Sequence, residues 1–98
     1  MMKKKGNEYS LKEAIQEMMQ SYRLEGKMNE FRLVSAWEKV MGPVIAKYTR
    51  GIKIENRVLY VELNSAALRE ELLFGKQKMI RMLNEEAGAA VIDDVILR

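Results

Sequence analysis

Ninety-eight residues, of which 48% are hydrophobic and 32% charged, with a net charge of +3, describe one ordinary globular domain with a single modest core. The chain contains no cysteine and no histidine, which excludes disulfides, thiolate metal sites and any Ser-His or Cys-His nucleophile pair. No stretch is long and apolar enough to span a membrane, and the N-terminus has no signal-peptide core, so a cytoplasmic protein is expected.

Residues 1–9 are polar and read as a flexible basic arm, with Lys3-Lys4-Lys5 carrying a charge equal to the whole net excess. Residues 10–98 form the domain. Ser10 and Glu13 make an S-x-x-E capping box, in which each side chain satisfies an amide left unpaired at a helix start. Leu11, Ala14, Ile15, Met18, Met19 and Tyr22 then share one helical face. Gly26 is expected to break this helix and Asn29 to cap a second one, whose stripe is Phe31, Val34, Trp37, Val40 and Met41. Gly42 and Pro43 end it, and Pro43 is suited to begin a short helical turn from Val44 to Tyr48.

After Thr49 the period changes to two. Ile52 and Ile54 alternate with Lys53, and Leu59, Val61 and Leu63 alternate with Tyr60 and Glu62. Between them Glu55-Asn56-Arg57 is a tight turn in which asparagine tolerates a positive φ, giving an antiparallel hairpin with one apolar face. Asn64 or Ser65 caps a third helix from Ala66 to Glu86, striped by Leu68, Leu72, Met79 and Leu83. Gly75, inside that stripe, signals close packing or a bend. Gly88 ends the helix, and Val91 to Leu97 is expected to be a closing strand with Val95 and Leu97 inward. The order α-α-β-β-α-β predicts an α+β fold: a three-stranded sheet with helices on one face and the other face open.

No catalytic, metal-binding or cofactor-binding constellation stands in this chain, and no small-molecule substrate is implied. Trp37, Leu59, Val61, Leu63 and Leu72 lie on apolar stripes and are assigned to the core; a lone tryptophan can also serve as a partner anchor. The methionines, including Met18, Met19, Met79 and Met82, read as gap-fillers of a small core. Lys47, Arg50, Lys53, Arg57 and Tyr60 gather on or beside the hairpin, with Tyr48 nearby. Such a face can hold single-stranded nucleic acid through phosphate attraction and base stacking, or can simply keep an edge strand soluble. Asp93-Asp94 reads as turn or strand-start chemistry.

Several of these pieces stand in a recognisable order. The tryptophan helix ending at Gly42, Ile45-Ala46-Lys47-Tyr48-Thr49, the Leu59-x-Val61-x-Leu63 strand leading into Ser65, then Leu72, Leu83-Asn84, Gly88 and Val95-Ile96-Leu97-Arg98 together resemble the DciA-like family. The resemblance spans about Ser10 to Arg98. It implies a K-homology-like fold and a non-enzymatic partner of the bacterial replicative helicase that assists its loading on DNA, with direct DNA binding in some members. The G-x-x-G loop of nucleic-acid-binding K-homology domains is replaced here by Phe74-Gly75-Lys76-Gln77.

Overall fold

The computed structural model describes residues 10–98, so the expected basic arm, residues 1–9, lies outside the described residues. Helix α1 (Leu11–Ser35) leads into two five-residue helices, α2 (Trp37–Met41) and α3 (Pro43–Lys47). The hairpin β1 (Thr49–Glu55) and β2 (Val58–Leu63) follows, then α4 (Ala66–Leu73), α5 (Lys76–Ala87) and β3 (Asp94–Leu97). The sheet order is β1-β2-β3, with β1 antiparallel and β3 parallel to the central strand. The fold is α+β.

The capping box starts α1 in both directions: Glu13 N–H donates to Ser10 Oγ, and Ser10 N–H donates to Glu13 Oε1, each at 3.1 Å. The break expected at Gly26 does not occur, because α1 runs unbroken for 25 residues. Stopping there would orphan backbone donors and acceptors on both sides, a larger penalty than the ~1 kcal/mol a helical glycine costs. Asn29 caps nothing; its Oδ1 accepts from Arg32 Nη1 at 3.0 Å along the helix surface. The chain bends instead at Ala36, so Leu33 and Trp37 face the core while Phe31 points away, 72% exposed. The methionines divide in the same way. Met79 is buried, whereas Met18 and Met19 are more than half exposed because the outer part of α1 extends past the domain, and Met28 is so because it lies off the helix face that buries Leu33.

Asn56 and Arg57 both take left-handed φ, 50° and 66°, making the two-residue turn whose twist matches the flanking strands. The long third helix is in fact two. Gly75 N–H closes back on Leu72 O at 3.1 Å, an i→i−3 bond, and a side chain at Gly75 would meet no atom within 4 Å. That glycine therefore marks a bend and not a close approach. Ser65 caps α4 by accepting from Leu68 N–H at 3.1 Å, and Gly88 ends α5 in the left-handed region at φ 84°. The closing strand is shorter than the alternation implies, since Val91 and Ile92 are buried but are bonded by the Asn84 side chain and have no strand neighbour.

The core lies between the sheet and the helices. Leu59, Val61, Leu63 and Val95 from the sheet meet Leu33, Trp37, Met79, Leu83 and Ala87, while Leu72 packs at its margin, half-buried. The opposite sheet face carries no helix residue of this core. It is the face that Lys53, Tyr60 and Ile96 present.

Candidate functional site

Strand parity and register build the open face. Lys53 stands directly across from Tyr60 in the antiparallel ladder, and Tyr60 in turn stands beside Ile96 in the parallel one. Their neighbours Ile52, Ile54, Leu59, Val61 and Val95 point into the core, so the alternation places these side chains on the solvent side. Arg98 extends β3 past Leu97: its N–H donates to Val61 O at 2.9 Å, and its carbonyl accepts from Leu63 N–H at 2.7 Å. These two bonds fix the base of the Arg98 side chain at the rim of the same face.

Two cations converge on one ring. Lys53 Nζ lies 5.7 Å from the Tyr60 ring centroid and Arg98 Cζ lies 5.0 Å from it. Both distances fall in the range where the ring quadrupole attracts a cation. Gly51, Ile52, Lys53, Tyr60, Glu62 and Arg98 line a shallow depression of about 270 Å³ over this cluster. The β-bulge between Thr49 and Gly51 shifts the register at its upper end. Lys53 Nζ also stands 3.7 Å from Glu55 Oε2, a long, exposed pair that leaves the ammonium accessible.

The five residues singled out in the sequence are not one cluster. Lys53 and Tyr60 meet, and Arg50 is exposed beside the bulge. Lys47 is exposed at the end of α3. Arg57 is taken up at the hairpin tip, where its Nε and Nη2 donate to Asp93 Oδ2 and Oδ1, both at 2.8 Å. That bidentate pair holds the turn to the residue preceding β3, so Arg57 is a structural clasp. Hydrogen bonding from Arg57, with its charge, pulls the Asp93 carboxyl below its ordinary pKa. The Asp94 carboxyl is lowered as well, first by the Val95 backbone N–H at 2.8 Å and then by Lys76 at 3.3 Å. Asp93 and Asp94 are thus strand-start residues. Arg98 is the member that sequence reading missed. Parity with the inward Val95 and Leu97 already put it on the Tyr60 side, but the adjacency of β3 to β2 was needed to bring it there.

A second recess of about 210 Å³ lies where α2 meets the α4–α5 bend, lined by Val40, Met41, Leu72, Met79 and Met82 with Glu71 and Lys78 at its rim. Phe74, in the segment standing where a G-x-x-G loop would, is 91% exposed at that bend. Among the described residues no three acidic side chains come together as metal donors. Among them too, no helix is long and apolar enough to cross a membrane.

These features define a small α+β domain with a protruding helix and a mixed sheet whose open face carries a cation-flanked tyrosine. The family described as Dna[CI] antecedent, DciA, matches residues 10–97, and the chain belongs to that family. Membership points to a helicase-loader-like role in replication. No curated protein matches the chain.

Proposed function

We propose that the protein is a non-enzymatic adaptor that binds the bacterial replicative helicase in the cytoplasm and assists its loading on DNA. The observation carrying this reading is the family match over nearly the whole described domain, residues 10–97. The chain's lack of cysteine and histidine is in keeping with an adaptor. Calorimetry or co-purification with the helicase of the same organism tests it. Saturable binding supports the reading, and no binding at tens of micromolar protein in low salt would sink it.

A second reading rests on the open sheet face. Lys53 and Arg98 about the Tyr60 ring supply phosphate attraction and a stacking surface, the two elements that single-strand binding uses. Under this reading the domain contacts single-stranded DNA or RNA directly. Its affinity then falls steeply with salt, because counterions released from the strand drive the association. Salt-insensitive or absent binding would leave the cluster a solubilising surface.

A further inference from the structure

One stripe of α1 is buried at its inner end, at Leu33, and bare and apolar at its outer end. Going inward from Tyr22, steps of four, three and four lead to Gly26, Asn29 and Leu33. Leu33 is fully buried, and Gly26 and Asn29 line a notch against Arg57, Ala89 and Ala90 at the end of the domain. Going outward, the same spacing gives Met18, Ile15 and Leu11. These outer positions are bare: Tyr22 is 65% exposed, Met18 52%, Ile15 46% and Leu11 77%. Over Leu11 to Tyr22 the 4-3-4 spacing, widened by Ala14 and Met19, is one along which a second helix can pack. A bare helical arm of this length is marginal in water, and tertiary packing usually supplies what propensity does not.

We propose that the bare half of the stripe pairs, antiparallel, with the same stripe of a second copy of this chain. The two-fold axis passes between Gln16 and Glu17. In that register Leu11 meets the partner's Tyr22, and Ile15 meets the partner's Met18, so every seam residue faces a seam residue. A two-fold interface requires this self-complementarity. The domain also selects the direction. It lies on the seam side of α1, as the burial of Leu33 shows, so a parallel copy would drive its own domain into the same space. An antiparallel copy instead lays the start of its arm toward the notch and carries its domain to the far end. Charge narrows the occupant, and the palindromic spacing of the four seam residues points to a second copy. Within α1, Lys12, Arg23 and Lys27 balance Glu13, Glu17 and Glu25, so this stretch of helix by itself carries no net charge toward a phosphate backbone or a strongly charged protein. Lys12 shares a flank with the partner's Arg23, so added salt leaves this pairing intact or tightens it, the opposite of nucleic-acid binding.

Sedimentation of the full chain over a concentration series tests the proposal. The expected result is a mass that doubles as concentration rises. I15E/M18E is expected to stay monomeric throughout, with Trp37 emission unchanged to show an intact core. F31S, on the opposite side of α1, is expected to dimerise like the parent. The chain has no cysteine, so engineered thiols report the register alone. L11C/Y22C should form disulfide-linked dimers on oxidation. L11C alone should not, because its two copies stand about 16 Å apart along the paired helices, well beyond disulfide reach. A parent chain that is monomeric at every concentration, a dimer that survives I15E/M18E, or efficient cross-linking of L11C alone would each overturn the proposal.

Discussion

The Trp37 indole N–H donates to Thr49 Oγ1 at 2.9 Å, and that hydroxyl donates in turn to the Ile45 carbonyl at 2.8 Å. One hydroxyl thus joins α2, α3 and the first residue of β1. Trp37 is 4% exposed, so its lone donor is satisfied inside the protein and its ring fills the core beside Leu33. Trp37→Ala is expected to cost ~3–5 kcal/mol through the cavity it leaves. Thr49→Val should cost ~1–3 kcal/mol by orphaning the indole N–H. Urea denaturation reads both, and an unmoved midpoint for Trp37→Ala would rule out a core role.

Asn84 is the latch of the α5–β3 connection. Its Oδ1 accepts from Val91 N–H at 2.9 Å and Ile92 N–H at 3.1 Å, while Nδ2 donates to Ile92 O at 2.9 Å. Three bonds at ~1 kcal/mol each make Asn84→Ala a loss of ~3 kcal/mol. Asn84→Asp keeps the two accepted bonds but turns an acceptor-only carboxylate oxygen onto the Ile92 carbonyl, so it too should melt below the parent. Equal midpoints for all three proteins would show that the loop is held elsewhere.

Reversing the charges about Tyr60, with Lys53→Glu and Arg98→Glu together, should abolish or sharply weaken any single-strand affinity while leaving the far-UV spectrum unchanged. If each cation neutralises one phosphate, the slope of log affinity against log salt falls by ~0.7 per removed contact. Fluorescence anisotropy with a labelled oligonucleotide measures it. An unaltered slope would place strand contacts away from this face.

Asp93 and Asp94 both titrate below the ordinary aspartate value of 3.8. A depressed folded pKa adds stability that is complete above that value and drains away as pH falls through the folded one. Both carboxylates are exposed, so the stability at stake is small. Arg57→Gln removes the bidentate partner, and the Asp93 titration should then rise toward 3.8, followed by carboxyl-carbon NMR. A midpoint that stays where it was would assign the depression to other groups.

Local chemistry was legible in the sequence wherever one or two residues decide it. The Ser10-Glu13 box, the Asn56 turn, the Gly42-Pro43 stop and the Gly88 cap each depend on one or two neighbouring residues, and each stands where the pattern put it. The α+β class and the antiparallel hairpin followed from the change of period after Thr49. What the pattern could not carry is continuity. Gly26 and Gly75 look alike in sequence, yet helix bonding spans the first and stops at the second. At Gly26 the 3–4 spacing keeps its phase toward Leu33, whereas the segments on either side of Gly75 pack on different elements, α4 on β2 and α5 on α1, α2 and β3. The Tyr60 cluster was half visible, since Lys53 and Tyr60 come from one hairpin and need only local pairing. Arg98 arrives through a parallel crossover, which no short-range signal encodes.

That crossover also sets when the protein can take shape during synthesis. The Arg57–Asp93 clasp joins positions 36 residues apart, and Leu59 has its parallel neighbour only once Val95 exists. Local elements such as the hairpin and the start of α1 are free to form as the chain emerges, but the central strand stays one-sided until β3 is made. Pairings of this separation bring a loop-closure cost before any contact repays it. Assembly of the core therefore waits for β3, and until β3 is made the apolar faces of β2 and α5 are open to whatever else is near the ribosome.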